Sequence, residues 1–162
     1  MALVLIDTSL RAAGMNHFLL PRPVTNAALL RDPAALFGMA AMDLLINEMM
    51  RLGSTRASLK AKVFGGASLF PLPGLPMGKV AQSNIDFAFD YLDREGIPVL
   101  VSDVGGTQPR KIWLFPESGQ VLLSRLGSKI HPGLSYREGR YRKSLSERDE
   151  GDVLIFGGGE KP

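Results

Sequence analysis

The sequence predicts an α/β chain, and three observations predict it. Two segments carry apolar residues at helical spacing between recognisable caps. Several short apolar runs rich in β-branched residues are bounded by glycine and proline, as strands are. One pair of such runs, 111–115 and 120–125, is separated by the turn sequence Pro116-Glu-Ser-Gly119 and reads as a hairpin. A length of 162 residues suits one domain with a proper core, and 45% hydrophobic with 22% charged residues is an ordinary globular balance.

In chain order, Met1 to Ile6 is an apolar run that reads as a buried strand with almost no lead-in. Termini usually carry a few solvated residues, so an upstream segment is expected, without which this strand would be exposed and under-packed. Asp7 to Ala13 reads as a turn. Gly14-Met-Asn-His-Phe-Leu-Leu-Pro21 reads as a second short buried strand, forming a hairpin with the first. It contains His17, one of only two histidines. A titratable ring in such a run needs a partner or a job. A buried histidine satisfied by a main-chain carbonyl is the commoner case, and both alternatives stand on the residues alone.

Arg22 to Arg31 is a linker. Asp32, Pro33 and Gly53 supply the cap, first turn and stop of a helix over 33–52. Phe37, Ala40, Ala41, Leu44, Leu45 and Met49 form its apolar stripe, with Asp43, Asn47, Glu48 and Arg51 toward water. Met39, Met42, Met49 and Met50 read as adaptable core filler. Leu59 to Phe64 alternates and reads as a half-exposed strand. Gly65 to Gly78 is a glycine- and proline-rich loop, expected to be mobile and to flank a cleft beside His17. Ser83 can cap a second helix over 83–95, with Ile85, Ala88, Phe89 and Leu92 buried and Gly96 closing it. Ile97 to Val101 reads as a buried strand, and Asp103 to Thr107 as a turn.

Residues 1–126 thus form the expected core, and 127–162 a polar, basic tail with a possible closing strand at 152–156. Lys129, Arg137, Arg140, Arg142, Lys143 and Arg148 give the tail its charge. Only Tyr136 and Tyr141 lie among them, too few aromatics for a nucleic-acid stacking platform, and a net charge of +3 adds little. His131 reads as solvated.

Several chemistries drop out. With no cysteine there is no disulfide scaffold, no thiolate metal site and no cysteine nucleophile within these residues. Two histidines without HExxH spacing make no zinc site, and neither a phosphate-loop pattern nor G-x-S-x-G is present. No cofactor is expected. No apolar run reaches the roughly 18 residues of a membrane span, and the first run is too short for a signal-peptide core, so a cytoplasmic location is expected.

Five blocks carry a resemblance: Gly14 to Pro21; Met42-Asp-Leu-Leu-Ile-Asn-Glu-Met49; Ala61-Lys-Val-Phe-Gly-Gly-Ala67; Arg94-Glu-Gly-Ile-Pro-Val99; and Asp103-Val-Gly-Gly106. In this order they resemble the CheD family of bacterial chemoreceptor glutamine deamidases, with 151–156 similar to its closing strand. The resemblance implies a layered α/β/β/α sandwich with mixed sheets, like that of deamidating bacterial toxins. It also implies hydrolysis of receptor glutamine side chains to glutamate and ammonia, some members also cleaving glutamate methyl esters. In that chemistry a cysteine thiolate attacks the amide carbon. A histidine activates the thiol and protonates departing ammonia, and backbone N–H groups hold the oxyanion. His17 falls on the family histidine and is the one catalytic residue implied here; no third, supporting residue can be placed. Receptor cytoplasmic domains are the implied substrate and a CheC-type phosphatase an implied partner, with no nucleic acid and a monomeric state expected.

The family's Leu-Gly-Ser-Cys-Val segment is not in this sequence. Its cysteine is expected immediately before Met1, with Met1 in the place of the valine. The alternative is a non-catalytic binding module that engages the phosphatase or the receptor.

Overall fold

A computed structural model describes residues 1–20, 33–69, 76 and 78–126. The tail from 127, with His131 and the possible strand at 152–156, lies outside the described residues, as does half of the 65–78 loop. The elements are β1 (Ala2–Asp7), β2 (Ala12–His17), α1 (Pro33–Arg51), β3 (Lys60–Gly65), α2 (Lys79–Arg94), β4 (Val99–Val104), β5 (Arg110–Phe115) and β6 (Gln120–Arg125). The fold is α+β.

Four strands make a mixed sheet in the order β2-β1-β3-β4. β1 runs antiparallel to both neighbours, and β3 is parallel to β4. The β5–β6 hairpin is a separate two-stranded sheet. Strand side chains alternate between faces, so β1 divides its residues between two cores. Leu3 and Leu5 join Met42, Leu45, Ile46, Met49, Phe87 and Leu92 of the helices. Val4 and Ile6 join Phe64 and face Ile112, Leu114, Val121 and Leu123 of the hairpin. The described layers are therefore helices, mixed sheet and hairpin. Both described helices pack on one face of the mixed sheet, so among the described residues no helix covers the outer face of the hairpin, where Trp113, Phe115 and Leu122 are exposed. The first strand is neither exposed nor under-packed, contrary to the sequence expectation: Leu3, Val4 and Leu5 are all at most 1% exposed, because β1 is paired on both edges and covered on both faces.

Both helices stop on glycine as expected, with the same bonding. Gly53 N–H donates to Met50 C=O and Ser54 N–H to Met49 C=O, while Gly96 N–H donates to Asp93 and Ile97 N–H to Leu92. This pattern closes the last carbonyls of a helix around a left-handed residue, and both glycines have positive φ. The buried face of α1 is rotated from the expected stripe. Ala35, Gly38, Ala41, Met42, Leu45, Ile46 and Met49 are buried, whereas Phe37 and Leu44 are half-buried and Ala40 is exposed. α1 is apolar around much of its circumference, so spacing alone did not fix its orientation. Gly38 does: a Cβ there would lie 2.8 Å from Leu20 Cδ2 and 2.9 Å from the Phe87 ring. α2 starts at Lys79 with Gly78 as its cap, not at Ser83. Its buried face holds Val80, Asn84, Phe87 and Tyr91 beside the expected Ile85, Ala88 and Leu92, while Phe89, expected buried, is half-buried.

β2 begins at Ala12 and ends at His17, so the expected Gly14–Pro21 strand is shifted toward the N-terminus and its turn is shorter than expected. β4 is displaced the other way and is not buried. It is an edge strand, and Leu100 and Val101 are exposed. The two sheets are tied at opposite ends. Lys62 Nζ donates to Gly119 C=O at 2.7 Å, and Asp103 pairs with Arg110 at 2.7 Å and Arg125 at 2.5 Å.

Gly119 makes a close contact between the sheets. Its φ is +65°, and an added Cβ would lie 2.9 Å from Ile6 Cγ2. Left-handed backbone and overpacking each cost about 1–2 kcal/mol. Gly119→Ala should therefore lower the unfolding free energy by about 2 kcal/mol or more in urea, with the slope unchanged. A loss below about 0.5 kcal/mol would contradict the close inter-sheet contact.

Candidate functional site

The β1–β2 register sets the site. Ala2 is opposite His17, Val4 opposite Met15 and Ile6 opposite Ala13. Directly opposed residues share a face, so Ala13, Met15 and His17 lie on the hairpin face, and Asn16 and Phe18 on the helix face. Ala13 and Met15 pack against the inter-sheet core, whereas His17, at the end of the strand, remains exposed. The neighbouring residues are anchored on the other face. Asn16 Nδ2 donates to Ala41 C=O of α1 at 2.9 Å. The Phe18 ring meets Phe87 of α2 edge-on at 5.6 Å. Phe18 N–H donates to Met1 C=O at 2.9 Å and Met1 N donates back to Phe18 C=O at 2.6 Å, the last rung of the ladder.

The two glycine pairs of the sequence meet near this end of the sheet. Gly65, Gly66, Gly105 and Gly106 all have positive φ. Gly105 N–H donates to Gly65 C=O at 2.9 Å, and Ser68 N–H to Gly106 C=O at 2.8 Å. A Cβ on Gly65 would approach Met1 Cα at 3.3 Å, and one on Gly66 would strike Ile85 Cγ1 at 2.6 Å. Paired glycines thus let the loops after β3 and β4 close onto the start of β1. The sequence marked them as turns and gave no sign that they meet.

His17 is held down to about 4 from its ordinary 6.5, chiefly because surrounding protein displaces water from the charged ring, with the Met1 ammonium adding. The Met1 amine is itself pushed down to about 5 by burial, so near neutral pH it carries little charge and desolvation is the dominant cause at His17. The imidazole is neutral at pH 7, and burial makes it a weaker base than a free imidazole. Among the described residues no carboxylate forms an ion pair with it, and no cluster of three His, Cys, Asp or Glu could hold a metal.

The opposite end of the hairpin carries a pocket lined by Asp7, Thr8, Arg11, Glu117, Ser118 and Gly119. Asp7 looks more reactive than it is. It is 2% exposed and accepts Ser58 Oγ and Ser9 Oγ at 2.5 Å, Ser9 N–H at 2.9 Å and Leu10 N–H at 3.2 Å. Those donors, the Ser58 and Ser9 hydroxyls foremost, hold the carboxyl well below its usual range. Its lone pairs are occupied by the turn, which makes it a structural anion rather than a base.

Sequence reasoning missed Asn16 and Asn84, which are buried polar residues beside the site. For Asn84 a signal existed. With α2 starting at Lys79, Asn84 falls on the apolar stripe between Val80 and Phe87. Taking Ser83 as the cap put it in the first turn, where a polar residue is unremarked.

A histidine depressed in the folded state binds fewer protons than in the unfolded state between pH 4 and 6.5, so its contribution to stability is present above 6.5 and is lost as pH falls through that window. NMR titration should give a His17 midpoint near 4, and His17→Gln should flatten the stability decline between pH 6.5 and 4 relative to the parent. A midpoint near 6.5 would refute the desolvated ring.

Comparison with known proteins shows the family. A family profile described as CheD chemotactic sensory transduction matches residues 19–125, beginning two residues after His17. Three similar proteins extend the match across nearly the whole chain. The probable chemoreceptor glutamine deamidase CheD 1 of Shewanella oneidensis is 39% identical over 157 residues, covering 96% of this chain and 75% of its own length. The probable chemoreceptor glutamine deamidase CheD of Laribacter hongkongensis is 36% identical over 151 residues, covering 93% and 72%. That of Stenotrophomonas maltophilia strain K279a is 40% identical over 157 residues, covering 96% and 76%. With the profile spanning most of the described core and these relatives well above 30% identity, the chain belongs to the CheD family.

Proposed function

We propose that the protein is a chemoreceptor glutamine deamidase of bacterial chemotaxis, with His17 as its acid–base residue. The observation that carries this is the identity of 36–40%, over 93–96% of the chain, to relatives named for that activity. The exposed place of His17 at the end of β2, opposite Ala2, supports its assignment. His17 takes the proton of a thiol, the thiolate attacks the side-chain amide carbon, and the protonated ring delivers its proton to departing ammonia. Water then hydrolyses the thioester, again with His17 as base.

The 162 residues hold no thiol, and we assign it to a residue joined to the Met1 nitrogen. Ala2 and His17 are opposed, and strand faces alternate with period two. A residue extending β1 by one step would thus share the face of His17 at the diagonal position, about 7 Å away between Cβ atoms. That separation is within reach for a thiol and an imidazole turned toward each other. The substrate is the receptor cytoplasmic domain, and the enzyme works as a monomer in the cytoplasm. The buried stripes of its helices pack within its own chain, and no described helix is long and apolar enough to cross a membrane.

The absence of cysteine favours a second reading, a non-catalytic module that engages a CheC-type phosphatase or the receptor. Ammonia release from a receptor cytoplasmic fragment, with the mass change of glutamine-to-glutamate conversion, separates the two. The 162-residue chain should be inactive. A version extended through cysteine before Met1 should be active, and His17→Ala should reduce it by about 10²- to 10⁴-fold. Activity in the short form that depends on His17 would overturn the thiol assignment. Inactivity in the extended form would leave the binding module.

A further inference from the structure

We infer that Asn84 of α2 is a positioning residue for His17, acting by standing in for the strand partner that the exit of β2 lacks. The inference rests on His17 as the acid–base residue. The β1–β2 ladder ends at the Met1–Phe18 rung. Two residues on, Leu20 is fully buried, and its peptide groups would be orphaned at a cost of about 1–3 kcal/mol each. One side chain satisfies both. Leu20 N–H donates to Asn84 Oδ1 at 2.7 Å, and Asn84 Nδ2 donates to Leu20 C=O at 3.1 Å. The same Nδ2 donates to Val80 C=O at 2.8 Å, fixing the carboxamide to the first turn of α2.

The match is specific. A planar carboxamide presents an acceptor beside a donor, as a neighbouring strand does. Aspartate keeps the acceptor and loses the donors, and glutamine is one methylene too long. Asn84 is 1% exposed and has no route to solvent as an alternative. Gly38 closes the other side, since a Cβ there would lie 2.8 Å from Leu20 Cδ2. Only Phe18 and Leu19 separate Leu20 from His17, and Phe18 is itself wedged on Phe87. The main chain at His17 is therefore fixed from both directions, by the ladder before it and by the Phe18–Leu20 anchor after it. Misplacement by about 1 Å costs an enzyme up to 10²-fold. Asn84 also limits the ladder: because it occupies Leu20, a residue joined to the Met1 nitrogen can extend the pairing by one step only.

The test uses the full 162-residue chain, ¹⁵N-labelled, with His17 signals assigned through His17→Gln. Asn84→Ala should broaden or double the His17 imidazole signals and move their midpoint up from about 4 toward 6.5. Tyr91→Phe, which removes a contact to Asp43 from the same helix, should leave them at the parent position. In the cysteine-extended chain, Asn84→Ala should lower kcat by about tenfold or more with KM within about twofold. Should Asn84→Ala fail to fold, Asn84→Asp carries the same comparison. A lowered Tm with unchanged His17 signals would show a purely structural residue and overturn the inference. Retention of activity by His17→Ala would instead remove the acid–base role of His17, while the imidazole comparison still decides whether Asn84 holds that ring.

Discussion

The double burial of β1 is the constraint on which the rest of this structure depends. A strand covered on one face tolerates a slipped register poorly, and a strand covered on both tolerates none, since a one-residue shift would exchange the contents of two cores. Leu3 and Leu5 belong to the helix layer, and Val4 and Ile6 to the hairpin layer. That assignment fixes β2 and β3, because both pair with β1. It also fixes His17, which falls on the hairpin face because Ala2 does. The functional side chain is thus positioned by the packing of residues that never touch a substrate.

Exposure of His17 follows from the same alternation combined with the finite reach of the hairpin. β5 and β6 cover Val4, Ile6, Ala13 and Met15, and His17 lies at the end of its strand. One step earlier, Asn16 points into α1; one step later, Phe18 points into α2. A histidine at either position would be the satisfied core residue that the sequence equally allowed. The mobility of its ring is confined to side-chain torsions, because the backbone on both sides is hydrogen-bonded to buried partners.

Much of this was legible in the sequence, where local chemistry decides the outcome. The helix stops at Gly53 and Gly96, the 116–119 turn and the strand pattern of 59–64 were all readable, because each depends on residues close in the chain. The orientation of α1 was not, because an apolar helix offers several faces and the choice was made by Gly38 against Leu20 and Phe87. The start of α2 was missed because Ser83 is a better cap by type than Gly78, and long-range packing of Val80 and Asn84 outweighed that preference. The exposure of β4 was missed because an apolar run reads as buried, whereas edge position depends on sheet order. The family resemblance pointed to His17, but its setting depends on a register that only the paired strands reveal.

The mixed sheet has a consequence for how the chain reaches its native state. β1–β2 and β5–β6 are local hairpins that can close on the timescale of microseconds. The pairings that join them are not local: Leu3 meets Val63 and Ala61 meets Val99, each across a helix. Such contacts accrue loop-closure entropy before they gain packing, so assembly of the central sheet is the slow step. Until β3 arrives, the newly formed first hairpin presents an open β1 edge, beside the β2 edge that stays open in the sheet, and two apolar faces. A chain emerging from the ribosome meets this state first, because more than forty residues must be made between β2 and β3. Docking of α1 onto Leu3 and Leu5, which needs no residue beyond the helix itself, is therefore the earliest contact that can cover one of those faces.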